Sequence, residues 1–117
     1  STIWLSILFN QMVDESNDDR LDRTFGALAD PTRRRMLVLV REAGALRVGN
    51  LAAAFDMSLN GASKHIKVLE RAGLVQREVR GRVHWIRPDP AGALHALGWL
   101  SEHHQFWRSR LRALDTH

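Results

Sequence analysis

The chain has 117 residues, which is enough for one domain with one hydrophobic core. Hydrophobic residues make up 44% and charged residues 26% of the chain, close to globular averages, which excludes a disordered or fibrous protein. Cysteine is absent, so disulfide scaffolds, thiolate zinc sites, iron–sulfur clusters and cysteine nucleophiles are excluded.

The net charge of +4 is unevenly distributed along the chain. Residues 1–30 carry six acids against two arginines, whereas residues 31–88 carry twelve Lys or Arg against four acids. Arginine supplies 15 of the 17 cations, and the guanidinium fork matches phosphate geometry. The basic block therefore favours a polyanionic partner, although a solvated basic face would have the same composition.

Residues 1–19 are predicted to be an apolar leader and an acidic linker, and residues 20–117 one domain. The apolar run at residues 3–9 is far shorter than the roughly 20 residues of a membrane span and lacks signal-peptide flanks, so no membrane partner is expected. Residues 12–15 look like an initiation region. Residues 1–11 are therefore expected to be an extension that packs on a neighbouring copy.

Helical spacing of apolar residues and helix-start and helix-stop signals predict the next elements in chain order. Asp30 and Pro31 form a helix start, with Asp at the N-cap and Pro at the first helical position. The predicted helices cover residues 20–29, 31–43, about 47–55, and 58–72. The sequence then predicts a β-hairpin, because residues 74–79 and 82–87 are β-branched or aromatic runs flanking Arg80-Gly81. A last helix is predicted from about residue 91 to 114.

Two short helices joined by a tight break and followed by a basic hairpin are typical of a winged helix-turn-helix, a mainly α fold with a β-hairpin wing. On the second of these helices, Leu59, Ala62, Ile66 and Leu69 fall within about an 80° arc. The opposite side holds Asn60, Lys64, Lys67 and Arg71 within about 60°, with Ser63 beside them. An ordinary amphipathic surface helix has the same periodicity, but the hairpin arginines Arg77, Arg80 and Arg82 favour nucleic acid.

Residues 25–87 resemble the ArsR family of small bacterial winged-helix repressors. The resemblance is carried by residues 28–33, by Leu51-Ala52 with Phe55, and most specifically by residues 58–75. It implies a cytoplasmic homodimer that binds double-stranded operator DNA, with the helix at 58–72 in the major groove and the hairpin near the minor groove. Two positions depart from the family pattern: Leu59 stands where a polar residue is usual, and Gly61 lies inside the helix, where it would let the backbone approach a phosphate.

The predicted DNA contacts divide by chemistry. Base edges are assigned to Asn60, Ser63 and Lys64. Phosphates or the minor groove are assigned to Ser58, His65, Lys67, Arg80 and Arg82, with Arg71 and Arg77 completing the cationic surface.

The last helix is predicted to be the main dimerisation element. Its seam follows alternating steps of three and four residues: Leu97, Leu100, His104, Trp107, Leu111 and Leu114. Leu21 and Phe25 of the first predicted helix are expected to pack against it. The competing interpretation is that the stripe covers the chain's own core and the protein is monomeric.

No metal or other cofactor is expected. Arg47 stands where the resemblance places a metal-binding cysteine, and Ala93 stands where a second family site would begin with Asp. His95, Glu102, His103 and His104 are zinc ligands by type, so a zinc-responsive repressor is one alternative. A protein-interaction winged helix is the other. No catalytic motif is present, so enzymatic activity is not expected.

Overall fold

The computed structural model describes the backbone of residues 2–115 and the side chains of Ile3, Leu5, Ser6 and residues 18–114. In chain order the elements are α1 (Thr2–Leu28), α2 (Pro31–Ala43), β1 (Leu46–Arg47), α3 (Val48–Ala54), α4 (Leu59–Arg71), β2 (Val75–Arg80), β3 (Val83–Pro88) and α5 (Pro90–Asp115). This order confirms the predicted winged helix-turn-helix, with α3 and α4 as the helix pair and β2–β3 as the wing. Within the described residues, no helix is both long enough and apolar enough to cross a membrane.

Helix α1 begins much earlier than the predicted start at residue 20. It is continuous through the acidic residues 14–19, and the sequence contains neither Gly nor Pro between residue 2 and Gly26 to interrupt it. The expected packing of residues 1–11 on a neighbouring copy falls mainly on side chains outside the described ones, while Ile3 and Leu5 are exposed. The domain boundary at residue 20 stays a prediction.

Helix α2 begins at the predicted cap. The Asp30 carboxylate accepts a 2.8 Å hydrogen bond from the Thr32 backbone N–H, and Pro31 occupies the first helical position. The helix ends at Gly44, whose positive φ of 81° closes the last turn onto the Val40 carbonyl.

The core lies between α2, the helix pair and the sheet. Its largest fully buried side chains include Met36 of α2, Leu51 of α3, Ile66 and Leu69 of α4, and Ile86 of β3. Burying the apolar side of α4 in this core leaves the opposite side of that helix to solvent.

The sheet is antiparallel in the order β1-β3-β2. Pairing of Arg80 with Val83 leaves Gly81 and Arg82 as a two-residue turn, and Gly81 has the positive φ (64°) that a type II′ turn requires at its first central position. The turn therefore lies one residue later than predicted. The two-residue strand β1, which was not predicted, pairs Leu46 with Ile86.

Two contacts hold the C-terminal end of α4 against the neighbouring long helices. The hydroxyl of buried Thr24 on α1 lies 3.2 Å from the carbonyl oxygen of Ala72, just after α4, and 3.1 Å from that of Arg20. The Gly92 N–H of α5 donates a 2.8 Å hydrogen bond to the Gly73 carbonyl. A Cβ at Gly92 would collide with the Ala72 carbonyl oxygen, so the close approach requires glycine.

Candidate nucleic-acid interface

Ser58 sets the start of α4. Its hydroxyl accepts a 3.0 Å hydrogen bond from the Gly61 N–H, and its extended backbone (φ −69°, ψ 159°) is the usual N-cap conformation. A Cβ at Gly61 would lie 3.3 Å from this hydroxyl oxygen, which is tighter than ordinary contact. Glycine at position 61 therefore leaves room for the Ser58 hydroxyl that caps the helix. Its predicted approach to a phosphate stays a prediction.

The exposed side of α4 carries the polar residues that the sequence assigned to it. Asn60, Lys64, Lys67 and Arg71 are all exposed, and Ser63 is half-buried at their edge. These side chains offer an amide, a hydroxyl and three cations on one surface, which is suited to base edges and phosphates.

The core side of α4 differs from the prediction at one residue. Ala62, Ile66 and Leu69 are at most 1% exposed, as expected, but Leu59 is 61% exposed. Its assignment to the core side is wrong, because Leu59 is the first residue of the helix and lies at the groove between α4 and the wing.

The wing presents arginines in two different states. Arg80 and Arg82 are exposed near its tip, and the Arg80 Nε donates a 2.9 Å hydrogen bond to Glu78. This bond, together with the charges of Arg80 and Arg87, holds the pKa of the Glu78 carboxyl below its ordinary value. Glu78 therefore stays ionised, and its negative charge offsets part of the positive charge that Arg80 presents to a bound anion.

Arg77 ties the wing to α4. Its Nε lies 3.5 Å from a carboxylate oxygen of Glu70 on α4, and its terminal nitrogen lies 3.1 Å from Nδ1 of His84 on β3. With its side chain only 20% exposed, Arg77 has less surface for a phosphate than Arg80 or Arg82.

His65 lies on a different side of α4 from Lys64 and Lys67. Its Nδ1 is 3.5 Å from a guanidinium nitrogen of Arg33 and 3.9 Å from the Asp30 carboxylate, and its side chain is 25% exposed. Arg33 also donates hydrogen bonds of 2.7 and 2.9 Å to the Ala27 and Gly26 carbonyls at the end of α1. His65 thus joins α4 to the α1–α2 corner, and these contacts do not support its predicted role at a phosphate.

Two residues of the same surface were not predicted as DNA contacts. Arg47, exposed at the start of α3, has its guanidinium 5.7 Å from the Trp85 ring centroid. Arg47 and His84 line a groove of about 430 Å³ between the helix pair and the wing, together with Leu59, Ser63, Arg77, Arg82 and Val83. Arg47 precedes the first helix of the pair, which is the signal that could have identified it.

The predicted seam on α5 is uncovered within the chain. Leu97, Leu100, Trp107, Leu111 and Leu114 are each at least 47% exposed, and His104 is exposed. Phe25 of α1 is 37% exposed and meets the Trp99 ring edge to face at 6.0 Å. Leu21 is only 8% exposed, because it already packs in its own chain, so it has little surface left for a partner.

The zinc-ligand candidates are not assembled into a site. Across the part of the chain that the structure describes, no three His, Asp or Glu side chains are grouped to hold a metal ion. His103 instead stacks on Trp99, with ring centroids 3.9 Å apart, and its Nδ1 lies 3.0 Å from the Trp99 carbonyl oxygen. His95 and Glu102 line a shallow pocket between α1 and α5.

Sequence comparisons match the region that carries this surface. Residues 28–78 match the family model described as a helix-turn-helix domain. The chain is 25% identical over 80 residues to the transcriptional repressor SdpR of Bacillus subtilis, an alignment that covers 68% of this chain and 88% of SdpR.

Solved structures extend the match to most of the chain. The crystal structure of the ArsR family transcriptional regulator RHA00566 is 36% identical with a TM-score of 0.72, over 79% of this chain and 94% of that one. The homodimeric winged helix-turn-helix DNA-binding domain of Mb0332 from Mycobacterium bovis is 30% identical with a TM-score of 0.59, over 73% of this chain and 80% of that one. Fold, motif and identity agree, and the chain belongs to the ArsR family of winged helix-turn-helix transcriptional regulators.

Proposed function

We propose that the protein is a homodimeric repressor that binds a palindromic operator in double-stranded DNA. The observation that carries the proposal is the exposed polar and cationic side of α4 beside the wing, formed by Asn60, Lys64, Lys67, Arg80 and Arg82. Repression is supported by the similarity to SdpR, a transcriptional repressor. Acting on DNA would place the protein in the cytoplasm.

The dimer is supported by the uncovered seam on α5. Large apolar side chains at five positions of one helix are more than a small domain ordinarily leaves in water, and Trp107, 61% exposed, has the size of an interface anchor. The Mb0332 domain, which has the same fold, is homodimeric. Two-fold symmetry then requires two half-sites about 34 Å apart on one side of the duplex.

Within each half-site, α4 enters the major groove and the wing follows the neighbouring backbone. Asn60, Ser63 and Lys64 lie where base edges are read, in the first half of α4. Lys67, Arg80 and Arg82 supply phosphate contacts, and Arg47 adds another cation to the same groove wall.

The test is operator selection followed by substitution of one base-reading residue. Purified protein selects duplexes from a random pool, and gel shifts measure the affinity of wild type and Lys64→Ala for the selected operator and for an unrelated duplex. We expect Lys64→Ala to lose about 1–3 kcal/mol on the operator and much less on the unrelated duplex. Arg112→Ala, which removes an exposed arginine from α5, is the matched control and should bind like wild type.

The proposal fails if wild-type protein shifts no duplex at low salt. It also fails in its assignment of α4 if Lys64→Ala and Arg112→Ala bind the operator equally.

A further inference from the structure

Leu59 is a large aliphatic side chain exposed within an otherwise polar and cationic surface. It is the first residue of α4 and is 61% exposed, whereas Ala62, Ile66 and Leu69 provide the packing of that helix and are at most 1% exposed. A single exposed leucine is ordinary on a protein surface, so its exposure alone carries little weight. Its position carries the argument.

The residues around Leu59 are cationic and would attract a polyanion. It lines the groove between the helix pair and the wing, where Arg47, Arg77 and Arg82 contribute cations. Val83, which is 36% exposed at the start of β3, adds a second apolar group to the same groove. DNA attracted by these arginines and docked on α4 would therefore cover Leu59.

We propose that Leu59 packs on the C5-methyl group of a thymine and so contributes a base preference to each half-site. Residues at the N-terminal end of a recognition helix contact base edges, and leucine can make no hydrogen bond there. The apolar feature that a base edge presents in the major groove is the thymine methyl group. This inference rests on the proposed function, because it requires α4 to lie in the major groove of a duplex.

The test compares thymine with deoxyuridine, which differs only by that methyl group. In the selected operator, each thymine is replaced in turn by deoxyuridine at the symmetric positions of both half-sites, and affinities are measured for wild type, Leu59→Ala and Leu94→Ala. We expect one thymine position at which wild type loses about fourfold in affinity per half-site, the factor that corresponds to burying one methyl-sized group. Leu59→Ala should bind the thymine and deoxyuridine operators equally at that position.

Leu94→Ala is the matched control, because Leu94 is a leucine of the same exposure (62%) on α5, outside this groove. It should keep the wild-type ratio between thymine and deoxyuridine whatever its overall affinity. The inference is overturned if wild type is indifferent to every deoxyuridine substitution, or if Leu59→Ala still discriminates; operator binding by wild type then leaves the proposed function standing. If no duplex is bound at all, both proposals fall.

Discussion

A single acidic side chain on the wing lowers the positive charge of the surface that faces the DNA. Glu78 lies beside Arg80 and Arg87, and the hydrogen bond from Arg80 keeps its carboxyl ionised. A carboxylate within the cationic surface repels phosphate and offsets part of the positive charge with which Arg80 binds it.

We therefore expect Glu78→Gln to bind DNA more tightly than wild type, irrespective of sequence. Arg80 then presents its full positive charge to its phosphate, so the slope of log affinity against log salt should steepen, by at most about 0.9 for each protomer. Gel shifts of an unrelated duplex at several salt concentrations measure this. Glu42→Gln, an exposed substitution on α2, is the control; equal slopes for the two variants would contradict the role given to Glu78.

Asp30 provides a second test at the same scale, through pH. The hydrogen bond from the Thr32 N–H, with the charges of Arg33 and His65, holds the pKa of the Asp30 carboxyl below its ordinary value. Because the folded-state pKa is the lower one, the charge stabilises the fold above the unfolded pKa of about 3.9, and this contribution is lost as the pH falls through the folded value.

Asp30→Asn preserves an N-cap side chain but removes the charge. We expect the variant to unfold at lower denaturant concentration than wild type at pH 7, and the two proteins to converge as the pH falls below 4. Urea unfolding followed by circular dichroism at pH 7, 4 and 2 checks this. A difference that stays constant over this range would show that the charge of Asp30 is not what stabilises the corner.

At the scale of elements, periodicity and caps were enough to predict most of the fold. Asp30-Pro31, Ser58 and the Gly81 turn are local signals, and each marks an element end in the structure to within one residue. β1 was missed because its two residues form a strand only through pairing with β3, a long-range contact that no local pattern encodes.

The candidate site was predicted less completely, for the same reason. The exposure of Lys64 and Lys67 could be predicted, because their spacing in the sequence puts them on the side of the helix opposite the apolar residues. The contacts of His65 with Arg33, and of Arg77 with Glu70, depend on how separate elements meet. The core position predicted for Leu59 is wrong, because the angle of a residue around the helix axis says which side it faces but not where along the helix the packing begins.

The junction between α4 and α5 can be tested with a pair of glycines in one helix. We expect Gly92→Ala to lower the free energy of unfolding by about 1–3 kcal/mol, because its Cβ would collide with the Ala72 carbonyl and force the two elements apart. Gly98→Ala is the control, because nothing lies within 4 Å of its added Cβ, and it should be neutral or gain up to about 1 kcal/mol from helix propensity. Urea denaturation measures both variants, and equal effects would contradict a close approach of Gly92 to the Ala72 carbonyl.

For the whole molecule, the proposed dimer links the α5 seam to DNA binding. Trp107→Ala should shift the sedimentation mass toward the 13.3 kDa of one chain and weaken operator binding in parallel, because a single winged helix makes half of the contacts. Phe106→Ala is the matched control: Phe106 is a neighbouring aromatic residue, 50% exposed, that lies off the seam. A Trp107→Ala protein that remains dimeric would show that the interface lies elsewhere.

Helix α1 is connected to α4 at two places. The Thr24 hydroxyl of α1 lies at the Ala72 carbonyl, and Arg33 of α2 contacts both the C-terminal end of α1 and His65 of α4. A helix held at its middle and at its end cannot tilt independently of the element that holds it. In a dimer, any shift of α1 and α5 relative to their symmetry mates would therefore be transmitted to α4 as a rigid-body displacement. The distance between the two α4 helices of the dimer would change while each winged helix kept its structure. Such a protein would release its operator because its two DNA-binding surfaces no longer match the spacing of the half-sites.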